Sequence, residues 1–105
     1  MNNYRRGRIA EKKVVNWLQA HGHTNVRRSA GSRGPADVYS VSPKGYKTYT
    51  QVKSSGASLD SGGRRDLREL AKDRRGFAQY VHYGDGRVNR VVPLGNWAKK
   101  KKAYA

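Results

Sequence analysis

The sequence predicts a small α/β domain, a central mixed β-sheet flanked by helices, and three observations predict it. A chain of 105 residues is long enough for one modest core and too short for two. Apolar residues recur with helical spacing early in the chain, and strand-like runs follow. A second, shorter helical stretch then separates those runs from a final hairpin-like pair. Helix, strands, helix, strands around one core is the pattern of a single layered α/β unit.

The elements follow in order. Residues 1–8 (MNNYRRGR) read as a flexible basic arm. From Ile9, the residues Ala10, Val14, Trp17, Leu18 and His21 fall on one helical face, and Gly22 is placed to stop the helix. A short strand is expected over Thr24–Arg28, then a Gly- and Ser-rich loop over Ser29–Pro35. Two strands, Ala36–Val41 and Tyr46–Lys53, are joined by the turn Ser42-Pro43-Lys44-Gly45. Residues 54–63 form a second small-residue loop. Leu67, Leu70, Ala71 and Arg74 mark a helix with Ser61 or Asp60 near its start and Gly76 after its end. Phe77–Tyr83 and Arg87–Pro93 flank Gly84-Asp85-Gly86 as a hairpin. Residues 9–98 are therefore the folded domain, and 99–105 (KKKKAYA with its first lysine at 99) a solvated basic tail.

Charge narrows the partners. Twenty-three Lys and Arg stand against 7 Asp and Glu, a formal net charge of +16. Such an excess calls for a polyanion, and Lys and Arg bind nucleic-acid phosphates with release of condensed counterions. The basic residues are scattered rather than gathered on one amphipathic helix, and no apolar run is long enough to span a bilayer, so no membrane partner is expected. The lack of cysteine excludes thiolate metal sites and fits an intracellular setting.

With so few acidic residues, the position of each one is informative. Alternation along the second strand puts Gln51 and Lys53 on one face with Lys47 and Tyr49, and Thr48, Thr50 and Val52 on the other. A hairpin turning at 42–45 brings Asp37 opposite the strand end carrying Gln51. Glu11 precedes Val14, Val15 and Leu18 by three, four and seven residues, at the edge of the inward helix face. A carboxylate there needs a compensating partner, and a cation is one. Two carboxylates and an amide oxygen form a hard-oxygen set of the kind Mg²⁺ takes.

The segments YRRGRIAEKKVVNWLQAHG, RRSAGSRGPADVYSV and YTQVKSS together resemble the archaeal-type Holliday junction resolvases of the PD-(D/E)XK nuclease superfamily. The likeness covers roughly the first half of the chain. It implies a restriction-endonuclease-like fold and a homodimer that makes paired nicks across a four-way DNA junction by metal-dependent phosphodiester hydrolysis. It further implies Mg²⁺, with Mn²⁺ as a substitute, bound by Glu11, Asp37 and Gln51, with Lys53 activating water and Ser32 positioning the phosphate. Gln51 departs from the acidic residue of the pattern: its carbonyl can ligate but brings no charge. Two alternatives follow, a branched-DNA binder that cleaves weakly or not at all, and a nuclease of the same superfamily acting on linear DNA. A cytoplasmic, nucleoid-associated protein of cellular or viral origin fits each reading.

The basic residues sort by place. Arg5, Arg6 and Arg8 belong to the arm, Arg27, Arg28 and Arg33 flank the Gly-rich loop, and Arg64 and Arg65 open the second helix. All are candidates for backbone phosphate contacts, which position DNA without reading sequence. His21, His23 and His82 are read as structural, because no third ligand accompanies the first two.

Overall fold

The apolar positions from Ile9 onward wind into helix α1 (Asn3–Ala20) in the computed structural model, which describes residues 3–29, 34–54 and 57–98, with residues 3–7 as backbone alone. Val14 and Leu18 are fully buried on its inner face, with Val15 and Trp17 packed beside them. The helix begins well before Ile9, so residues 3–8, expected as a flexible arm, are its opening turns. Backbone hydrogen bonding needs no apolar repeat, and these residues offer none for periodicity to detect. The chain turns out at Gly22, whose φ is +90°, while the His23 N–H closes onto the Leu18 carbonyl at 3.0 Å.

Among the described residues, five strands form one sheet in the order β1-β2-β3-β4-β5. They are β1 (Thr24–Arg28), β2 (Val38–Val41), β3 (Lys47–Ser54), β4 (Phe77–Gly84) and β5 (Arg87–Asn96), with helix α2 (Ser61–Asp73) between β3 and β4. Neighbours are antiparallel except β3 and β4, which are parallel. The parallel step follows from α2, since parallel neighbours need a crossover and a helix supplies it. The mixed sheet flanked by helices is thus as expected. The expected loop over 54–63 is shorter, because α2 starts at Ser61, with the Asp60 carboxylate accepting the Gly63 N–H at 2.7 Å.

Each helix builds a core on one face of the sheet. Val14 and Leu18 meet Val38 and Val81, flanked by Val52. Leu67 and Ala71 of α2 meet Ala36, Tyr49, Ala78 and Tyr80 on the other. The alternation read along β3 holds: Tyr49 lies on the α2 side and Val52 on the α1 side. Thr50 accepts from Gln79 Nε2 at 3.1 Å, so the polar pair buried among these residues is satisfied. Leu18→Ala should therefore cost about 2–5 kcal/mol, measurable as a lower midpoint of denaturant unfolding with an unchanged slope.

Gly76 does different work from that expected. Arg75 takes the left-handed conformation after α2, with φ +56°. A Cβ on Gly76 would come within 2.5 Å of the Lys47 carbonyl oxygen and 2.6 Å of the Tyr49 ring. Gly76 is thus fixed by close approach of the backbone to β3 rather than by the helix end. The last hairpin turns at Asp85-Gly86, both with positive φ, and β5 runs past the expected end at Pro93 to Asn96. As an outer strand, β5 accommodates a proline that an inner strand would not.

Candidate active site

Asp37 is the pivot of the site because the chain leaves the sheet there. Val38 pairs with Thr50 across the β2–β3 hairpin, so Asp37 falls opposite the start of the Gln51-Val52-Lys53 segment. Its N–H donates to the Thr50 carbonyl at 2.9 Å, and its own carbonyl accepts the Ser29 N–H at 2.8 Å. One carboxylate oxygen, Oδ2, accepts the Val52 N–H at 2.9 Å. The side chain thus substitutes for a backbone partner that a longer β2 would provide. Asp37 grips β3 on both sides of Gln51, and an ionised carboxylate has acceptor capacity left for further partners.

Gln51 and Lys53 follow Tyr49 toward the α2 side by alternation. Their partners in the parallel ladder are Tyr80 and His82, whose rings meet edge to face at 5.4 Å. Lys53 lies close enough to Asp37 to favour its carboxylate form, although burial dominates and pushes the Asp37 carboxyl above its ordinary value. The same happens at Glu11: burial, then the negative charge of Asp37, raise it, and Arg28 and Arg8 pull it back. The negative charge of Asp37 reaches Glu11, so the two carboxyl groups share one neighbourhood.

Glu11 has a partner that sequence reading assigned to DNA. Arg28 Nε lies 3.4 Å from Glu11 Oε1, and the Glu11 side chain is only 14% exposed. The compensating charge expected for this carboxylate is therefore present within the chain. Arg28 together with Arg8, Ile9, Lys12, Val15 and Arg27 lines a groove of about 530 Å³ between α1 and β1. Ile9, 42% exposed, and Val15 are the apolar members of an otherwise basic lining. Ser32 and Arg33 lie outside the described residues, as do the side chains of Arg5 and Arg6, which sit on α1.

Arg64 and Arg65, expected to act together, part company. Arg65 is exposed and lies 3.5 Å from Asp66. Arg64 turns inward and donates to the Tyr80 hydroxyl at 3.0 Å. Tyr80 and Arg64 therefore join the surroundings of Gln51, and His82 those of Lys53; sequence reading had placed none of them there. The parallel pairing of β3 with β4 makes these neighbours, and a register between strands separated by a helix is not written in local periodicity.

The donor set suits a hard cation held in part by substrate. No group of three or more His, Cys, Asp or Glu occurs among the described residues. A cation here would rest on the carboxylates of Glu11 and Asp37, with the Gln51 carbonyl on the adjoining stretch of β3 as the further oxygen to recruit. Mg²⁺ is commonly held by one or two carboxylates, waters and substrate phosphates rather than by a full protein cage. The residues present fit that arrangement.

No protein-family model and no curated protein matches the sequence. Among solved structures, the chain is similar to Hjc of Archaeoglobus fulgidus, a Holliday junction resolvase from an archaeal hyperthermophile. The TM-score is 0.69 at 18% sequence identity, over 85% of this chain and 73% of that one. At that identity the likeness shows the fold, which is the one the sequence motifs implied.

Proposed function

We propose that the chain is a metal-dependent endonuclease that resolves four-way DNA junctions by paired nicks. The observation that carries the reading is the grip of Asp37 on Val52, which fixes a carboxylate at the strand end bearing Gln51 and Lys53. A bound Mg²⁺ would polarise a phosphoryl oxygen and lower the pKa of an attacking water. Asp37 and Glu11 would hold it through carboxylate oxygens and Gln51 through its amide carbonyl. The Lys53 ammonium would orient the water and stabilise charge developing on the phosphate. Ser32 would hold the phosphate from the loop preceding Asp37. Arg8, Arg27 and Arg28, with Arg5, Arg6, Arg33 and Arg65, would bind backbone phosphates and set the register of the duplex arms.

A domain of this size presents one such centre, and two opposed nicks need two, which a C2 homodimer supplies. No described helix is long and apolar enough to cross a membrane, and a +16 chain working on DNA in the cytoplasm needs none. The test compares a four-way junction with linear duplex at equal nucleotide concentration, in Mg²⁺ and in EDTA. Paired, Mg²⁺-dependent nicks in the junction are expected. Equal cleavage of both substrates would instead assign a nuclease of linear DNA.

Gln51 favours one other reading, a branched-DNA binder that does not cut, because it gives the centre one negative charge fewer than an acidic residue would. Gln51→Glu separates the two. For the nuclease, the substitution should lower the Mg²⁺ concentration for half-maximal cleavage by about 10- to 100-fold, the range over which supporting groups tune metal sites. For the binder, it would create cleavage where the parent has none.

A further inference from the structure

Arg64 differs from the other cations of the surface, and its surroundings give it a use. It stands in the opening turns of α2, the helix that follows β3 in the chain, and it reaches to β4. Its Nη2 donates to the Tyr80 hydroxyl at 3.0 Å, and its guanidinium carbon lies 5.5 Å from the Tyr80 ring centroid. Tyr80, 3% exposed, is fixed in the core and is the ladder partner of Gln51. The Arg64 Nε is buried and has no hydrogen-bond partner among the described residues.

Buried donors are nearly always paired, so the Arg64 Nε calls for a partner beyond the described residues. The nearby carboxylates are committed elsewhere: Asp60 to the Gly63 N–H and Asp66 beside Arg65. The neighbour across the ladder, Gln51, is neutral and cannot offset the guanidinium. A planar cation with an unpaired donor, anchored by the tyrosine that pairs with Gln51 across the ladder, matches the oxygens of a phosphodiester.

We propose that Arg64, held by Tyr80, is a catalytic residue that binds a non-bridging oxygen of the scissile phosphate; this rests on the nuclease reading above. In the hydrolysis the water oxygen forms the new bond to phosphorus, and the bond from phosphorus to one sugar oxygen breaks. One water proton goes to that leaving oxygen and the other to solvent. Arg64 exchanges no proton and stabilises charge on the phosphoryl oxygens, which compensates for the charge that Gln51 does not help to organise.

Two measurements decide it. In single-turnover cleavage of a four-way junction, Arg64→Ala should lower the rate about 100-fold while the junction Kd changes less than about threefold, one phosphate contact among many. Arg64→Lys should recover part of the rate. Tyr80→Phe, which keeps the ring and removes the hydroxyl, should lower it about tenfold. Rate and Kd falling by the same factor would make Arg64 a backbone clamp and overturn the proposal, as would no change in either. Separately, the Arg64 Nε–H resonance, identified by its loss in Arg64→Lys, should shift when a short DNA duplex is added in EDTA. A resonance that stays in place overturns the proposal even for a chain that cleaves. A parent chain that cleaves nothing sinks the nuclease reading, and the resonance still decides whether Arg64 meets a phosphate.

Discussion

Asp37→Asn should reduce junction cleavage by at least about 1,000-fold, the upper range for loss of one preorganised electrostatic group, while junction binding stays within a few-fold. It should also raise the thermal stability of the protein in EDTA. The two effects share a cause. Burial holds the Asp37 carboxyl above its ordinary value, so folding favours the protonated form. Its contribution to stability is complete below the unfolded carboxylate pKa and is lost as pH rises through the higher folded value. At neutral pH the ionised group is a cost that asparagine removes, and the asparagine carbonyl can still accept the Val52 N–H. Differential scanning calorimetry reads the gain, each kcal/mol being worth about 4–8 °C in a domain of this size.

Divalent cation should reverse that order. An ion at 100 times its Kd stabilises the native state by about 2.7 kcal/mol, so Mg²⁺ should raise the Tm of the parent and leave Asp37→Asn nearly unmoved. Acid should weaken the effect from a pH above the ordinary carboxylate range, because Asp37 and Glu11 both hold protons more tightly than usual and protons compete with the ion.

Lys53→Ala carries the second large effect, with a different signature. Cleavage should fall about 100- to 1,000-fold. The Mg²⁺-dependent rise in Tm should persist, since removing a cation beside Asp37 leaves the carboxylates in place and lowers the positive potential there. Loss of cleavage with cation binding retained separates Lys53 from the ligands. A parallel loss of both would mean that the substitution disturbs the strand end itself.

The parts of the site that were legible in the sequence are those set by local rules. Alternation placed Gln51 and Lys53 on one face, and the turn at 42–45 set Asp37 against them, because side-chain period and hairpin register are short-range properties. The helical repeat after Ile9 located Glu11 for the same reason. Other features depend on contacts between distant segments. Arg28 reads as one of two surface arginines on an outer strand, and only the packing of α1 against β1 brings it to Glu11. Arg64 reads like Arg65, and only the parallel pairing of β3 with β4 supplies the tyrosine that turns it inward. The first turns of α1 were missed because a polar helix carries no periodic signal, and the end of β5 because Pro93 reads as a stop wherever the sheet's edge is unknown.

Binding of a divalent cation by Glu11 and Asp37 beside Lys53 underlies every expectation of cleavage above. It is tested most directly by following backbone amide resonances as Mn²⁺ is added at substoichiometric levels. Paramagnetic broadening should centre on residues 11, 37, 51 and 52, be competed away by excess Mg²⁺ and be absent in Asp37→Asn. Broadening centred elsewhere, or unchanged in Asp37→Asn, would contradict it.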